Sequence, residues 1–247
     1  MPALKLDEVK KLHQKKYREQ FGFFLAEGEH LVLELEKAAR SNPALCQSQL
    51  YVSGSYQDWD GGALTVQHLT ERQMQQISDT PSPQGIIACV PAAALPVVQS
   101  GSGRRAVYLH EVQDPGNLGT ILRSMAWFGG FDCLLSPGCV DPLNPKVVRA
   151  SMGAVFHVPV QHDVSAAQLT GAYKKFACLD MQGKPLHSSS FVEAECLVFG
   201  NEARGVPIEL VAATKAQRYT IAGSDTIESL NLASVLGMCL YEINRLR

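Results

Sequence analysis

Three segments from Asp114 onward set polar side chains beside glycines where strands give way to helices. The first runs Asp114-Pro115-Gly116-Asn117-Leu118-Gly119-Thr120-Ile121-Leu122-Arg123. Asp114 can cap a helix, and Pro115 suits its first turn because the missing N–H would lack a partner there anyway. Leu118, Ile121, Leu122, Met125 and Ala126 then recur at helical spacing and form one buried face. Arg123 falls on the opposite face, one turn after Gly119, where the absent side chain leaves room for a bulky group to reach the guanidinium. A helix amino terminus with free N–H groups attracts phosphate, so the chemistry this segment suits is the holding of an anion. Taken alone it reads equally well as a capped amphipathic helix with a surface arginine.

The second segment, Leu197-Val198-Phe199-Gly200-Asn201-Glu202-Ala203-Arg204-Gly205, is a buried strand that breaks at glycine into a polar turn. Gly200 at the strand end allows a ligand or another backbone to come close. Glu202 follows in the loop, where its carboxylate can accept hydrogen bonds or steady a cation. The third segment, Ile221 to Asn231, is again strand, loop and helix start, with Ser229 a candidate N-cap. The helix that follows is apolar over much of its circumference, which predicts burial, in part against a second subunit.

Positioning such residues calls for a particular architecture. Strands are predicted at 106–109, 131–135, 156–160, 176–179, 197–199 and 219–221, with helices between most of them. This alternation implies a parallel sheet covered on both faces, with ligands at the carboxyl ends of its strands. Ahead of it, a stretch rich in Pro, Ala and Gly, from Pro91 to Gly103, carries no charge and reads as a linker. The expected division is 1–92, linker 93–105, and 106–247. In the first part the pattern predicts helices over 4–20, 29–39 and 70–77, and strands over 23–25, 50–52, 64–66 and 85–90. That is a small α/β domain.

Hydrophobic content of 46% and charged content of 19% are ordinary for a soluble globular chain of 247 residues. The amino terminus shows no apolar signal-peptide core, and the most apolar run, Leu230 to Ile243, is too short to span a bilayer. The seven cysteines are scattered singly without a CxxC pair, which points to buried reduced thiols in the cytoplasm and no zinc site. Net charge is −2, yet the first 18 residues carry six basic side chains against two acidic ones, a local balance of +4.

DPGNLGTILRSMAWFG, LVFGNEARGVP and IAGSDTIESLNLASVLGMCLYE resemble, in order and spacing, the three motifs of the SpoU ribose 2′-O-methyltransferases of RNA. The connecting Asn144 to Ala154 is similar too, so the resemblance covers about Tyr108 to the end. In the front part, Lys16-Tyr17-Arg18 through Gly28, and Ser78 to Gly85, resemble the ribosomal-protein-like RNA-binding domain often fused to such enzymes. The resemblance implies an α/β knot (SPOUT) domain preceded by an RNA-binding domain, S-adenosyl-L-methionine as methyl donor, and a homodimer. In that dimer, RNA contacts come partly from the other subunit. It implies that Leu179, Gly200, Ile221 and Leu230 hold the cofactor, with Leu179 near the adenine. It assigns the catalytic work to Asn117, Arg123, Glu202, Ser229 and Asn231. Val206 and Ala222 depart from the usual leucine and proline or methionine without touching the chemistry. A guanidinium with a pKa above ~12 suits Arg123 better as a phosphate clamp than as a base.

The fused front domain favours ribosomal RNA over transfer RNA as substrate. A catalytically silent RNA-binding module on the same fold would not need to keep the five polar residues. A nucleotide-dependent oxidoreductase would need a GxGxxG after its first strand, which the chain lacks.

Overall fold

The structure is a computed structural model that describes residues 4–224, 226 and 229–245. Asp225, Ile227 and Glu228, in the middle of the third motif, lie outside the described residues. In chain order the elements begin α1 (Leu6–Lys11), α2 (Lys15–Phe21), β1 (Phe23–Glu27), α3 (Glu29–Ala39), β2 (Gln49–Val52), β3 (Thr65–His68), α4 (Glu71–Ile77) and β4 (Ile86–Pro91). They continue β5 (Arg105–Leu109), α5 (Pro115–Phe128), β6 (Phe131–Leu135), α6 (Pro145–Ser151), β7 (Val160–Gln161) and α7 (Ala166–Ala172). The last are β8 (Phe176–Pro185), β9 (Cys196–Phe199), α8 (Ile208–Thr214), β10 (Gln217–Thr220) and α9 (Leu232–Asn244).

The chain divides into two units. The first runs through Pro96 and takes in Asp141–His157; the second holds Val97–Val140 and the chain from Val158 onward. In the first unit a four-stranded sheet has the order β1-β4-β2-β3. The run Ile86-Ile87-Ala88-Cys89-Val90 is buried throughout because β4 is central and covered on both faces. Ile86, Ala88 and Val90 point with Phe24 and Leu50 into one core, under Leu31 and Leu35 of α3. Ile87 and Cys89 point with Tyr51 into another, against Val9 of α1 and Met74 and Ile77 of α4. Burial pushes the Cys89 thiol up to about 12, so it stays protonated, and does the same in direction to Cys133, Cys196 and Cys239.

Two features of this unit differ from the sequence expectation. The helix expected over 4–20 is two helices, α1 and α2, with Leu12 buried at the break. The break frees the Leu12 carbonyl, which accepts from Arg18 Nη1 at 2.7 Å, while Arg18 Nη2 and Nε reach Asp141 Oδ2 at 2.5 and 3.1 Å. Arg18 is therefore buried and neutralised, and does not belong to the basic surface that its place in the sequence suggests. Residues 141–157 also sit in this unit rather than with the sequence that surrounds them. Val148, Val155 and Phe156 enter the core formed with Phe24, and Arg149 pairs with Asp79 at 2.9 Å. Phe156 thus lies in a short 3-10 turn, and the strand expected over 156–160 is reduced to β7.

The second unit contains a six-stranded sheet in the order β10-β8-β9-β5-β6-β7, every neighbouring pair parallel. All six carboxyl ends therefore open on one edge. From β5 the chain builds outward through β6 and β7, then returns to the other side of β5 with β8, β9 and β10. The reversal lies between β5 and β9, the position where open α/β sheets bind ligands. The core joins Tyr108, Leu134, Leu169, Cys178, Val198 and Leu210. Helices α5 and α9 pack on one another, close enough at Gly237 that an added Cβ would lie 4.0 Å from Ser124 Oγ. Among the described residues no helix is long and apolar enough to cross a membrane.

Candidate active site

The loops after β5 and β9 flank the reversal point, and each motif reaches that edge for a local reason. Asp114 caps α5, its Oδ1 accepting from Asn117 N at 2.6 Å, with Pro115 in the first turn. Leu118, Gly119, Ile121, Leu122 and Met125 form the buried stripe and leave Arg123 exposed. Among the described residues Arg123 makes no hydrogen bond or ion pair.

Asn117, Glu202 and Asn231 form one hydrogen-bonded chain across the three motifs. Asn117 Nδ2 donates to Glu202 Oε1 at 3.2 Å, and Asn231 Nδ2 donates to Asn117 Oδ1 at 2.9 Å. Glu202 Oε1 also accepts from Asp114 N at 3.3 Å. Residues 85 and 114 positions apart are thereby drawn to the amino terminus of α5. Asn231, and not Ser229, caps α9, its Oδ1 accepting from Ala233 N at 2.9 Å and Ser234 N at 3.3 Å. Ser229 is exposed two residues ahead of the cap and is not spent on closing the helix. The amino ends of α5 and α9 meet here, and their aligned peptide dipoles make the place favourable for a negative group.

The four residues expected to hold a cofactor lie at strand ends or beside this chain. Gly200 and Ile221 directly follow β9 and β10, and Leu179 lies in β8 between those strands. At Leu179 the β8–β10 ladder breaks: its register jumps from Cys178 to Lys184, and β9 pairs with β8 only as far as Cys178. The backbone of 179–183 is therefore outside the ladder. Leu179 and Ile221 are half-buried, while Met181 and Leu230 are exposed, at 72% and 45%. Apolar side chains beside backbone that has left the strand register are what an adenine ring and an amino-acid tail require, so these residues fit S-adenosylmethionine. Of the two reasons expected for a glycine at 200, a ligand or another backbone coming close, the structure shows the second. A Cβ there would lie 1.9 Å from Gly205 C and 2.2 Å from Val206 N, so the space belongs to the returning arm of the same loop. Among the described residues no three His, Cys, Asp or Glu side chains come together as a metal site would need.

Two residues of this edge escaped sequence reasoning. Glu111, just after β5, has φ 50° and carries an ion pair to Arg204 at 2.5 Å. No local signal marks a glutamate for a left-handed backbone, and its partner lies 93 positions away.

Residues 104–241 match the model of the SpoU rRNA methylase family. The chain belongs to that family. Residues 4–88 match the MRM3-like substrate binding domain. The 23S rRNA (guanosine(2553)-2′-O)-methyltransferase RlmP of Bacillus subtilis is 30% identical over 97% of this chain and 95% of its own length. Among solved structures, a TrmH-family protein from Porphyromonas gingivalis is 29% identical with a TM-score of 0.81, covering 100% of this chain and 99% of that one. The AdoMet-bound rRNA methyltransferase of Sinorhizobium meliloti is 26% identical with a TM-score of 0.79, over 98% and 94%. The parallel sheet and the preceding sheet domain agree with the fold these relatives share.

Proposed function

We propose that this chain transfers the methyl group of S-adenosylmethionine to a ribose 2′-hydroxyl of RNA, ribosomal RNA before transfer RNA. The observation that carries the proposal is the Asn231–Asn117–Glu202 chain, which joins the three family motifs at the carboxyl edge of a parallel sheet. The cofactor supplies an electrophilic methyl on a sulfonium. The protein's part is to orient a weak nucleophile and stabilise the negative charge that grows on it. Arg123, exposed on α5 and without a partner among the described residues, clamps the neighbouring phosphate and lowers the cost of the alkoxide. Asn117, Asn231 and Ser229 position the ribose, and Glu202 holds the Asn117 amide in one orientation. Leu179, Gly200, Ile221 and Leu230 receive the cofactor.

Residues 1–92 serve as the RNA-binding domain and 106–247 as the methyltransferase domain, on either side of a linker. Without Arg18, the basic side chains of the first 18 residues are Lys5, Lys10, Lys11, Lys15 and Lys16, all exposed, with Lys11 and Lys16 Nζ at 5.6 and 5.5 Å from the Tyr17 ring. Such a surface suits a phosphate backbone. Trp127, Met238 and Tyr241 are exposed on α5 and α9, at 85%, 42% and 59%, and support a homodimer closed through these helices. The proposed setting is the cytoplasm, and the knotted SPOUT topology is part of the reading.

The test is a map of 2′-O-methyl positions in RNA from cells with and without this protein. The expected result is one ribose of ribosomal RNA that loses its methyl group. Loss confined to transfer RNA would overturn the substrate, and an unchanged map would overturn the activity.

A further inference from the structure

The loop that carries Glu202 is a closed clip. Asn201 N donates to Gly205 O at 3.1 Å and Gly205 N to Asn201 O at 2.8 Å, while Asn201 Oδ1 accepts from Ala203 N and Arg204 N. Both arms of the clip are fastened to one residue. Asn201 Nδ2 donates to Glu111 O at 2.8 Å, and Arg204 Nη2 donates to Glu111 Oε2 at 2.5 Å. Glu111 is itself held from the other side, its N–H donating to Ser136 Oγ at 2.9 Å. Its φ of 50° is one that a glutamate rarely adopts and a glycine adopts freely. A non-glycine residue kept in a disfavoured backbone conformation points to a use for its side chain. An exposed ion pair adds little to global stability, so its use lies in placing the loop.

We propose that Glu111 and Arg204 are a positioning pair: together they set the height of the Gly200–Gly205 clip, and with it the cofactor-facing backbone and the Glu202 carboxylate. This rests on the cofactor reading above. It predicts that Glu111→Gly relieves the backbone yet harms the site. Calorimetric titration of the full-length protein with S-adenosylmethionine should show affinity about tenfold weaker for Glu111→Gly and for Arg204→Gln. The double variant should also be about tenfold weaker, not a hundredfold, because both changes undo one clip. The melting temperature of Glu111→Gly should equal or exceed that of the wild type. Amide hydrogen exchange at Gly205 should quicken in both single variants, with or without cofactor.

Glu111→Gly binding as tightly as the wild type, multiplicative losses in the double variant, or unchanged exchange at Gly205 would each overturn the positioning pair alone. Weakened RNA binding by Arg204→Gln at unchanged cofactor affinity would assign Arg204 to RNA instead. A wild-type protein that takes up no S-adenosylmethionine would overturn the cofactor reading, and exchange at Gly205 would still judge the clip.

Discussion

Replacing Asn117 with aspartate changes one amide NH2 to an oxygen and leaves the shape of the side chain alone. In the native chain of bonds, Asn117 Oδ1 accepts from Asn231 and Nδ2 donates to Glu202 at 3.2 Å. Asn117→Asp keeps the acceptor but sets a second carboxylate against Glu202 at that distance. Two unit charges so placed repel by about 1 kcal/mol in water and about 5 kcal/mol at an effective dielectric of 20. Asn117 is half-buried and Glu202 exposed, which puts the cost near the lower end, about 2 kcal/mol. Each carboxylate raises the pKa of the other in the folded state only. The repulsion is therefore absent at a pH below the ordinary carboxyl range, where both groups are protonated, and the stability present there is lost as pH rises through the raised folded value. With about 3 °C per kcal/mol for a protein of this size, Asn117→Asp should melt about 6 °C below the wild type at pH 8 and close to it near pH 4. Asn117→Ala should show a small gap that is the same at both. Thermal unfolding followed by calorimetry across that range decides the matter. A gap for Asn117→Asp that does not change with pH would show that Asn117 and Glu202 do not meet as described.

Arg123→Ala should leave the melting temperature and S-adenosylmethionine affinity unchanged, since Arg123 is exposed and unpaired among the described residues, and should slow single-turnover methyl transfer roughly a hundredfold, about 3 kcal/mol. Arg123→Lys should recover part of that rate, and wild-type transfer by Arg123→Ala would remove Arg123 from the mechanism. Asp141→Ala strands the Arg18 guanidinium, whose side chain is 4% exposed, and should destabilise the first unit by about 3 kcal/mol in urea unfolding. A loss below about 1 kcal/mol would mean that Arg18 finds water or another partner.

The boundaries that the sequence could announce were those made by neighbours in the chain. The Asp114-Pro115 start of α5 and its apolar stripe depend on residues within a few positions of one another, and both lie where helical spacing puts them. The strand at 85–90 was equally local, as was the alternation of strands and helices that implies a parallel sheet. Arg123 could be placed on the outer face of α5 by the same arithmetic. The motifs, too, could be recognised in order along the chain.

Other features depended on contacts over long separations, which no local pattern encodes. Arg18 reads as part of a basic surface until Asp141, 123 positions on, is seen to bury it. Asn144 to Phe156 reads as part of the parallel-sheet region, yet its apolar residues complete the core around Phe24 in the first unit, because burial rewards fit regardless of chain order. Ser229 and Asn231 are both sound capping residues, and the choice of Asn231 turned on where α9 begins against α5. Gly200 was correctly read as a point of close approach, but what approaches is the loop's own backbone. Glu111 is an ordinary glutamate in the sequence. Its left-handed backbone and its hold on Arg204 exist only because β5 and β9 lie side by side, which brings their following loops within hydrogen-bonding reach.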